Sequence, residues 1–145
     1  MAETIPMTSH GAKRLREELR NLREEELPRL DNATSYEEKE RKGMIDARIS
    51  YIEQTLDRAE IVDPAQMAGD KVQFSATVEL TDVDSDKTWR VQIVGPEEAD
   101  EKQGRISAAS PLARALLGCE AGDSVKSITP SGERVDAEIE KVLYI

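Results

Sequence analysis

The spacing of the hydrophobic residues changes once along the chain, and this change constrains the fold more than any other feature. Before residue 60, apolar residues recur at alternating intervals of three and four on both sides of a polar middle: Leu15, Leu19, Leu22, Ile45, Ile49, Ile52, Leu56 and Ala59. Such a narrow stripe is typical of a coiled-coil seam. Because little else in the sequence could cover a wider apolar face, we predict an antiparallel helical hairpin, with two helices of a larger bundle as the alternative.

Turn-forming and capping residues divide the predicted hairpin into two helices. The first helix is expected to have Thr8 or Ser9 as its N-cap, because threonine and serine are favoured N-cap residues. The tip is expected within residues 31–38, where Ser35 and Glu38 have the spacing of a capping box that starts the second helix. Pro28 lacks a backbone N–H and is therefore expected to kink or loosen the end of the first helix.

Beyond Pro64, which is expected to end the second helix, the hydrophobic period becomes two. This alternation predicts strands, with apolar positions at Val72, Phe74, Ala76, Val78, Leu80, Trp89, Val91, Ile93, Val125, Ile128, Val135, Ala137 and Ile139. Residues 110–117 interrupt it as a short helix with a serine N-cap and a proline in the first turn. The chain is thus predicted to be α+β, with a helical domain at residues 1–62 and an antiparallel sheet domain with one short helix at residues 63–145.

The composition excludes several functional classes. With a single cysteine, Cys119, and a single histidine, His10, the chain has no internal disulfide and no Cys- or His-rich metal site. The formal net charge of −10 argues against a protein that binds free nucleic acid by itself. Neither a signal peptide nor a transmembrane segment is evident, so a cytoplasmic location is expected.

A group of basic residues near the start of the first helix stands out in this acidic chain: Lys13, Arg14, Arg16, Arg20 and Arg23. A solvated helix face is one interpretation of the group, and a patch that faces phosphates is the other.

Several ordered sequence blocks cover almost the whole chain. They are IPMT at 5–8, LREEL at 15–19, IVD at 61–63, IVG at 93–95, TPSG at 129–132 and, as the longest, ISAASPLARALLG at 106–118. In this order, the blocks resemble the GreA/GreB family of bacterial transcription elongation factors. The resemblance implies that the C-terminal domain is FKBP-like and docks on RNA polymerase, while the N-terminal coiled coil enters the secondary channel of the polymerase.

The resemblance also implies a role for acidic residues at the tip of the coiled coil. In the family, they help to hold a second Mg²⁺ at the polymerase active site, where backtracked RNA is hydrolysed. The chain would then be an accessory factor and not an enzyme, with no cofactor except a Mg²⁺ shared with the polymerase. The acidic candidates are Asp31, Glu37 and Glu38, for which helix capping and solvation is the alternative interpretation. The candidates for polymerase docking are Ser107, Ser110, Pro111 and Arg114.

The tip departs from the family pattern. The family's acidic tip motif is absent, and roughly two helical turns are missing from each arm, which shortens the reach by about 10 Å. Rnk-type relatives, which do not stimulate cleavage, have a similarly reduced coiled coil. The chain is therefore expected to regulate elongation or transcript cleavage, or instead to occupy the channel without promoting cleavage. A coiled-coil adaptor protein is the remote alternative, and the chain is expected to be monomeric.

Overall fold

The computed structural model describes residues 4–145 and divides into two compact units. The helical unit holds His10–Glu60, and the sheet unit holds Pro6–Ser9 together with Ile61–Ile145. The elements in chain order are β1 (Ile5–Thr8), α1 (Ser9–Asn21), α2 (Tyr36–Arg58), β2 (Ala59–Val62), β3 (Thr77–Asp82), β4 (Thr88–Val94), β5 (Arg105–Ser107), α3 (Pro111–Leu116), β6 (Ser124–Ile128) and β7 (Arg134–Leu143). Within this part of the chain, no helix is long and apolar enough to cross a membrane.

The first arm of the hairpin loosens where the proline was expected to act. After α1, residues Leu22–Glu26 form a π-helical turn, and the Leu27 N–H donates to the Leu22 carbonyl at 2.8 Å. A 3-10 turn, Pro28–Leu30, follows directly. Because Pro28 has no N–H to donate to the preceding turn, a regular α-helical ladder cannot continue through it.

The predicted hairpin seam is confirmed. The residues that α2 buries are Ile45, Ile49, Ile52 and Thr55. The apolar cluster of the helical unit consists of Leu30, Ile45 and Ile49, against which Leu19, Leu22, Leu27 and Ala33 pack. Ion pairs also connect the first arm to α2, and they are Glu18–Arg48, Arg23–Glu53 and Glu26–Arg41. The hairpin thus combines a narrow apolar seam with charged flanks, as in a coiled coil.

The end of the second helix differs from the prediction. α2 ends at Arg58, before Pro64 is reached, and Ala59–Val62 form β2, which pairs with β1 in a two-stranded sheet. The sequence analysis did not predict either strand, because four-residue strands are too short to show an alternating pattern.

The sheet of the C-terminal unit has five strands in the order β5-β4-β3-β7-β6. Its pairs are antiparallel except for β4 and β5, which run parallel. The α+β fold class is confirmed, but the expectation of a wholly antiparallel sheet is wrong for this pair. Residues 95–104 connect the two strands through two 3-10 turns, Pro96–Glu98 and Glu101–Gln103, and so make the crossover that a parallel pair requires. On one face of the sheet, α3 buries Leu112, Ala113 and Leu116 in the core.

The segment before β3 is another correction. Val72 and Phe74 were predicted to belong to a strand, yet β3 begins only at Thr77. The Val72 N–H instead donates to the Cys119 carbonyl at 2.8 Å, and Ser75 adopts a positive φ of 78°. Val72 is nevertheless buried, so its burial was predicted correctly. Only its backbone hydrogen-bond partner was not.

Candidate functional site

The tip of the hairpin places the three predicted carboxylates in different roles. Ser35 caps α2: its Oγ accepts the Glu38 N–H at 3.1 Å and donates to Glu38 Oε1 at 2.9 Å. The capping interpretation therefore holds for Glu38, whose carboxylate is engaged at the start of the helix.

Asp31 and Glu37 are the two tip carboxylates that face solvent and do not take part in the helix cap. Asp31 follows the 3-10 turn, Glu37 lies in the first turn of α2, and both are exposed. Between residues 4 and 145, the side chain of neither one has a hydrogen-bond or ion-pair partner, and no group of three or more His, Cys, Asp or Glu residues is arranged to hold a metal. The tip thus presents two open carboxylates and no converging ligand set of its own. Tyr36, 80% exposed between these groups, is a further tip residue that the sequence analysis missed.

The five basic residues of the first arm are all exposed, but they are not equivalent. Arg20 pairs with Glu24 at 3.4 Å and Arg23 pairs with Glu53, so charges of the helical unit itself neutralise these two. Lys13 and Arg16 are three residues apart on α1 and share one face. Arg14 points about 100° away from Lys13, since successive helical residues are rotated by that angle. The surface that remains for a phosphate is therefore smaller than the sequence indicated.

The start of α3 gathers the four predicted docking residues. Ser110 caps the helix: its Oγ accepts the Ala113 N–H at 3.4 Å and donates to the Ser107 carbonyl at 2.6 Å. The Ser107 Oγ accepts the Ala109 N–H at 3.1 Å. Both hydroxyls are therefore used to build the turn before the helix, and their contribution to any docking surface is to hold its shape.

Pro111 and Arg114 are the two predicted docking residues that α3 exposes. They are three residues apart on the helix and so lie on one face. In the part of the chain that the structure covers, Arg114 has no carboxylate within ion-pair distance. Its guanidinium can therefore donate to a carboxylate or carbonyl of a partner, beside the apolar ring of Pro111.

A cleft that was not predicted from the sequence is lined by Leu112 of α3 together with residues of the sheet and its loops. The cleft has a volume of about 530 Å³, and its apolar wall comprises Trp89, Val91, Ile106, Leu112 and Val135. Charged residues surround this wall, among them Lys87, Glu101, Lys102, Glu133 and Arg134. Because the lining comes from segments far apart in sequence, no local pattern could reveal it. Its volume lies within the range of ordinary ligand and side-chain-binding pockets.

The surroundings of the single thiol, Cys119, favour its protonated form. Burial, and secondly the charge of Asp123, raises the pKa of Cys119 above its ordinary value. Its Sγ donates to the Ala115 carbonyl at 3.3 Å. A thiol that stays protonated is a poor nucleophile, and here it serves as a small packing residue after α3.

Comparison with known proteins gives one consistent family. A family model described as "Transcription elongation factor, GreA/GreB, C-term" matches residues 66–144. The chain is 43% identical to transcription elongation factor GreA of Agrobacterium fabrum over 148 residues, which cover 92% of this chain and 94% of that relative. It is also similar to a solved structure, GreA factor homolog 1 (Gfh1) of Thermus thermophilus, with 30% identity, coverage of 97% and 99%, and a TM-score of 0.46.

A second relative shows a difference in length. The chain is 41% identical to transcription elongation factor GreA of Phenylobacterium zucineum over 157 aligned residues, which cover 99% of each chain. This alignment is longer than the 145 residues of the chain itself. The relative therefore contains positions that have no counterpart here.

Proposed function

This chain belongs to the GreA/GreB family of transcription elongation factors, and from this premise we propose that it binds bacterial RNA polymerase and regulates elongation. In this proposal, the sheet unit docks on the polymerase and the helical hairpin enters the secondary channel. The chain is an accessory factor: any hydrolysis of RNA takes place in the polymerase active site, and the chain contacts nucleic acid only through the elongation complex.

The observation that carries the docking part of the proposal is the surface at α3. The family match over residues 66–144 includes this helix, and the Ser107–Ser110 turn holds its first residues in place. Pro111 and Arg114 then form an exposed apolar and cationic pair on α3. Arginine is enriched among the residues that dominate the binding energy of protein interfaces, and Arg114 is exposed for such a contact.

A cleavage-stimulating role depends on Asp31 and Glu37. A carboxylate must lie at about 2.0–2.1 Å from Mg²⁺ to ligate it. Asp31 and Glu37 are exposed at the tip and could complete the coordination of a metal that the polymerase holds. This metal would activate a water molecule for attack on backtracked RNA.

A second candidate function is occupation of the channel without cleavage. Two observations favour it: Glu38 is engaged in the helix cap, and a GreA relative has aligned positions that this chain lacks. A chain of this kind would bind the polymerase, compete with longer Gre factors and leave the backtracked RNA intact.

One assay distinguishes the two functions. Purified protein is titrated onto backtracked elongation complexes, and polymerase binding and RNA cleavage are measured in the same samples. The double variant Asp31→Asn/Glu37→Gln is compared with Glu40→Gln, an exposed carboxylate one turn further along α2. Cleavage by the wild type that is lost only in the double variant supports the cleavage-stimulating role. Binding without cleavage supports channel occupation.

A second pair of variants tests docking itself. Arg114→Glu reverses the charge on the proposed docking face, and Lys126→Glu makes the same change on exposed strand β6. Arg114→Glu is expected to weaken polymerase binding at least tenfold, the order of magnitude for loss of an interface arginine. Equal affinities for the two variants would place the docking surface elsewhere, and no binding by the wild type would refute the proposed function.

A further inference from the structure

Glu98 is a buried carboxylate in a position that the proposed docking and tip surfaces do not use. Glu98 is only 9% exposed and lies in the 3-10 turn that follows β4. Oε2 accepts the Thr8 N–H at 2.9 Å and the Gly95 N–H at 2.9 Å, and Oε1 accepts the Thr8 hydroxyl. A buried carboxylate is unfavourable unless donors surround it, and these three donors fulfil that requirement.

The local backbone is shaped so that this contact forms. The Glu98 N–H donates to the Gly95 carbonyl at 3.0 Å, which closes the turn and directs the side chain back over it. A Cβ at Gly95 would lie 2.3 Å from the Pro6 carbonyl oxygen, closer than any real contact. Only glycine therefore allows the two backbones to approach so closely.

Two of the three donors belong to Thr8, which lies directly before the helical arm. Pro6–Ser9 belong to the sheet unit, and α1 begins at Ser9. Glu98 thus holds, through Thr8, the residues from which the hairpin starts, although 90 residues separate Thr8 and Glu98 in sequence. Glu98 does not belong to the apolar core cluster of the sheet unit, and its carboxylate contacts are polar.

We propose that Glu98 is a positioning residue: its contact with Thr8, here called the Thr8–Glu98 latch, fixes the origin of the hairpin on the sheet unit. The latch holds Pro6–Ser9, which lead into α1, within the sheet unit, so that the hairpin starts from a fixed point when the sheet unit docks. This consequence for the polymerase rests on the proposed function, whereas the latch itself is a property of the free protein.

The first test measures amide hydrogen exchange in the free, full-length protein. Thr8→Val removes the hydroxyl, Glu98→Gln removes the charge, and Glu138→Gln makes the same charge change at an exposed position of β7. We expect the first two variants to accelerate exchange in residues 5–15 about tenfold, as for loss of a hydrogen bond to a charged group, with β3 and β7 unaffected. Glu138→Gln is expected to leave the exchange rates of residues 5–15 unchanged. Thr8→Ser, which retains the hydroxyl, is expected to exchange as slowly as the wild type.

The double variant Thr8→Val/Glu98→Gln separates the latch from other roles of either residue. If the two side chains act through each other, the double variant exchanges little faster than either single variant. Additive effects, or slow exchange in both single variants, would overturn the latch. Faster exchange across β3 and β7 in Glu98→Gln would mean that the fold has loosened, and Thr8→Val, which is less disruptive, would then decide.

The second test separates positioning from docking. At saturating concentration, the latch variants are expected to have a reduced effect on elongation or cleavage, while their Kd for the polymerase stays that of the wild type. If exchange is accelerated but the effect at saturation is unchanged, the positioning role is wrong and the proposed function stands. If the wild type does not bind the polymerase, the proposed function is wrong and the exchange data still decide the latch.

Discussion

Ser75 is strained in two ways, and replacing it with glycine is expected to stabilise the protein. Its φ of 78° lies in the left-handed region, and its side chain is fully buried. Its Oγ has no hydrogen-bond partner among residues 4–145. The backbone is held independently of the side chain, since the Ser75 N–H donates to the Ile93 carbonyl at 2.9 Å and its carbonyl accepts from Gln92 Nε2 at 3.3 Å. Glycine can therefore adopt the same conformation.

The magnitude follows from opposing terms. A left-handed conformation costs a non-glycine residue about 1–2 kcal/mol. A buried hydroxyl without a partner costs about 1–3 kcal/mol. Against these gains, glycine loses about 0.5–1 kcal/mol through the entropy of the unfolded chain, and removal of Cβ and Oγ loses packing of about 1 kcal/mol. Ser75→Gly is therefore expected to raise the free energy of unfolding by about 1–2 kcal/mol, or the Tm by roughly 3–6 °C for a chain of this length.

The assay is urea and thermal unfolding followed by the fluorescence of Trp89, the only tryptophan, which packs against the core of the sheet unit. Ser75→Ala removes the unpaired hydroxyl but keeps Cβ and the left-handed strain, so it measures the hydroxyl contribution alone and is also expected to stabilise the protein. Ser124→Gly, on exposed strand β6 without a positive φ, is expected to destabilise by about 0.5–1 kcal/mol. If Ser75→Gly lowers the free energy of unfolding as much as Ser124→Gly does, Ser75 is not strained.

Three further outcomes are expected. Ile49→Asp places a charge in the seam and is expected to lower the free energy of unfolding by at least about 3 kcal/mol, with loss of helical circular dichroism. Met44→Asp, at a 67% exposed site, should leave stability and circular dichroism nearly unchanged. Similar melting temperatures of the two variants would contradict the seam. The hydrogen bonds from Arg48 hold the pKa of Glu18 below its ordinary value, so the pair stabilises the fold at neutral pH and this contribution disappears as the pH falls through that lowered pKa. Both side chains are 40% exposed, so Arg48→Met should lower the free energy of unfolding at pH 7 by only about 0.5 kcal/mol. The difference from the wild type should vanish in strong acid, and a difference that persists there would contradict the ion-pair explanation. Gly104→Ala, at a φ of 74° and with its Cβ 2.9 Å from the Arg90 carbonyl oxygen, is expected to cost about 1–2 kcal/mol in urea unfolding; an unchanged midpoint would show that this turn relaxes freely.

The features of the helical unit that were predicted correctly depend on neighbours within a turn or two of the chain. Ser35 and Glu38 form the capping contacts that their spacing indicated, and the helix loosens just before Pro28. Ile45 and Ile49 are buried in the seam because a helix brings residues three and four apart onto one face. In the sheet unit, Ser110 was likewise predicted from local sequence as a helix N-cap, and its role as the N-cap of α3 is confirmed.

The features that the sequence did not reveal depend on partners far along the chain. The parallel pairing of β4 and β5 follows from the path of residues 95–104, and no hydrophobic pattern records that path. β1 and β2 form a sheet only because segments more than fifty residues apart meet. The apolar wall of the cleft appears in sequence as ordinary strand and helix core.

The sequence by itself determined where the chain is helical, where it alternates as a sheet and to which family it is similar, because periodicity, caps and contiguous motifs are local properties. Only the tertiary structure decided which polar groups are free to act. It left Asp31 and Glu37 open and brought Thr8 to Glu98. Contacts between residues far apart in sequence close long loops of the chain. The preference of a residue for burial or exposure does not determine which distant residue it will contact.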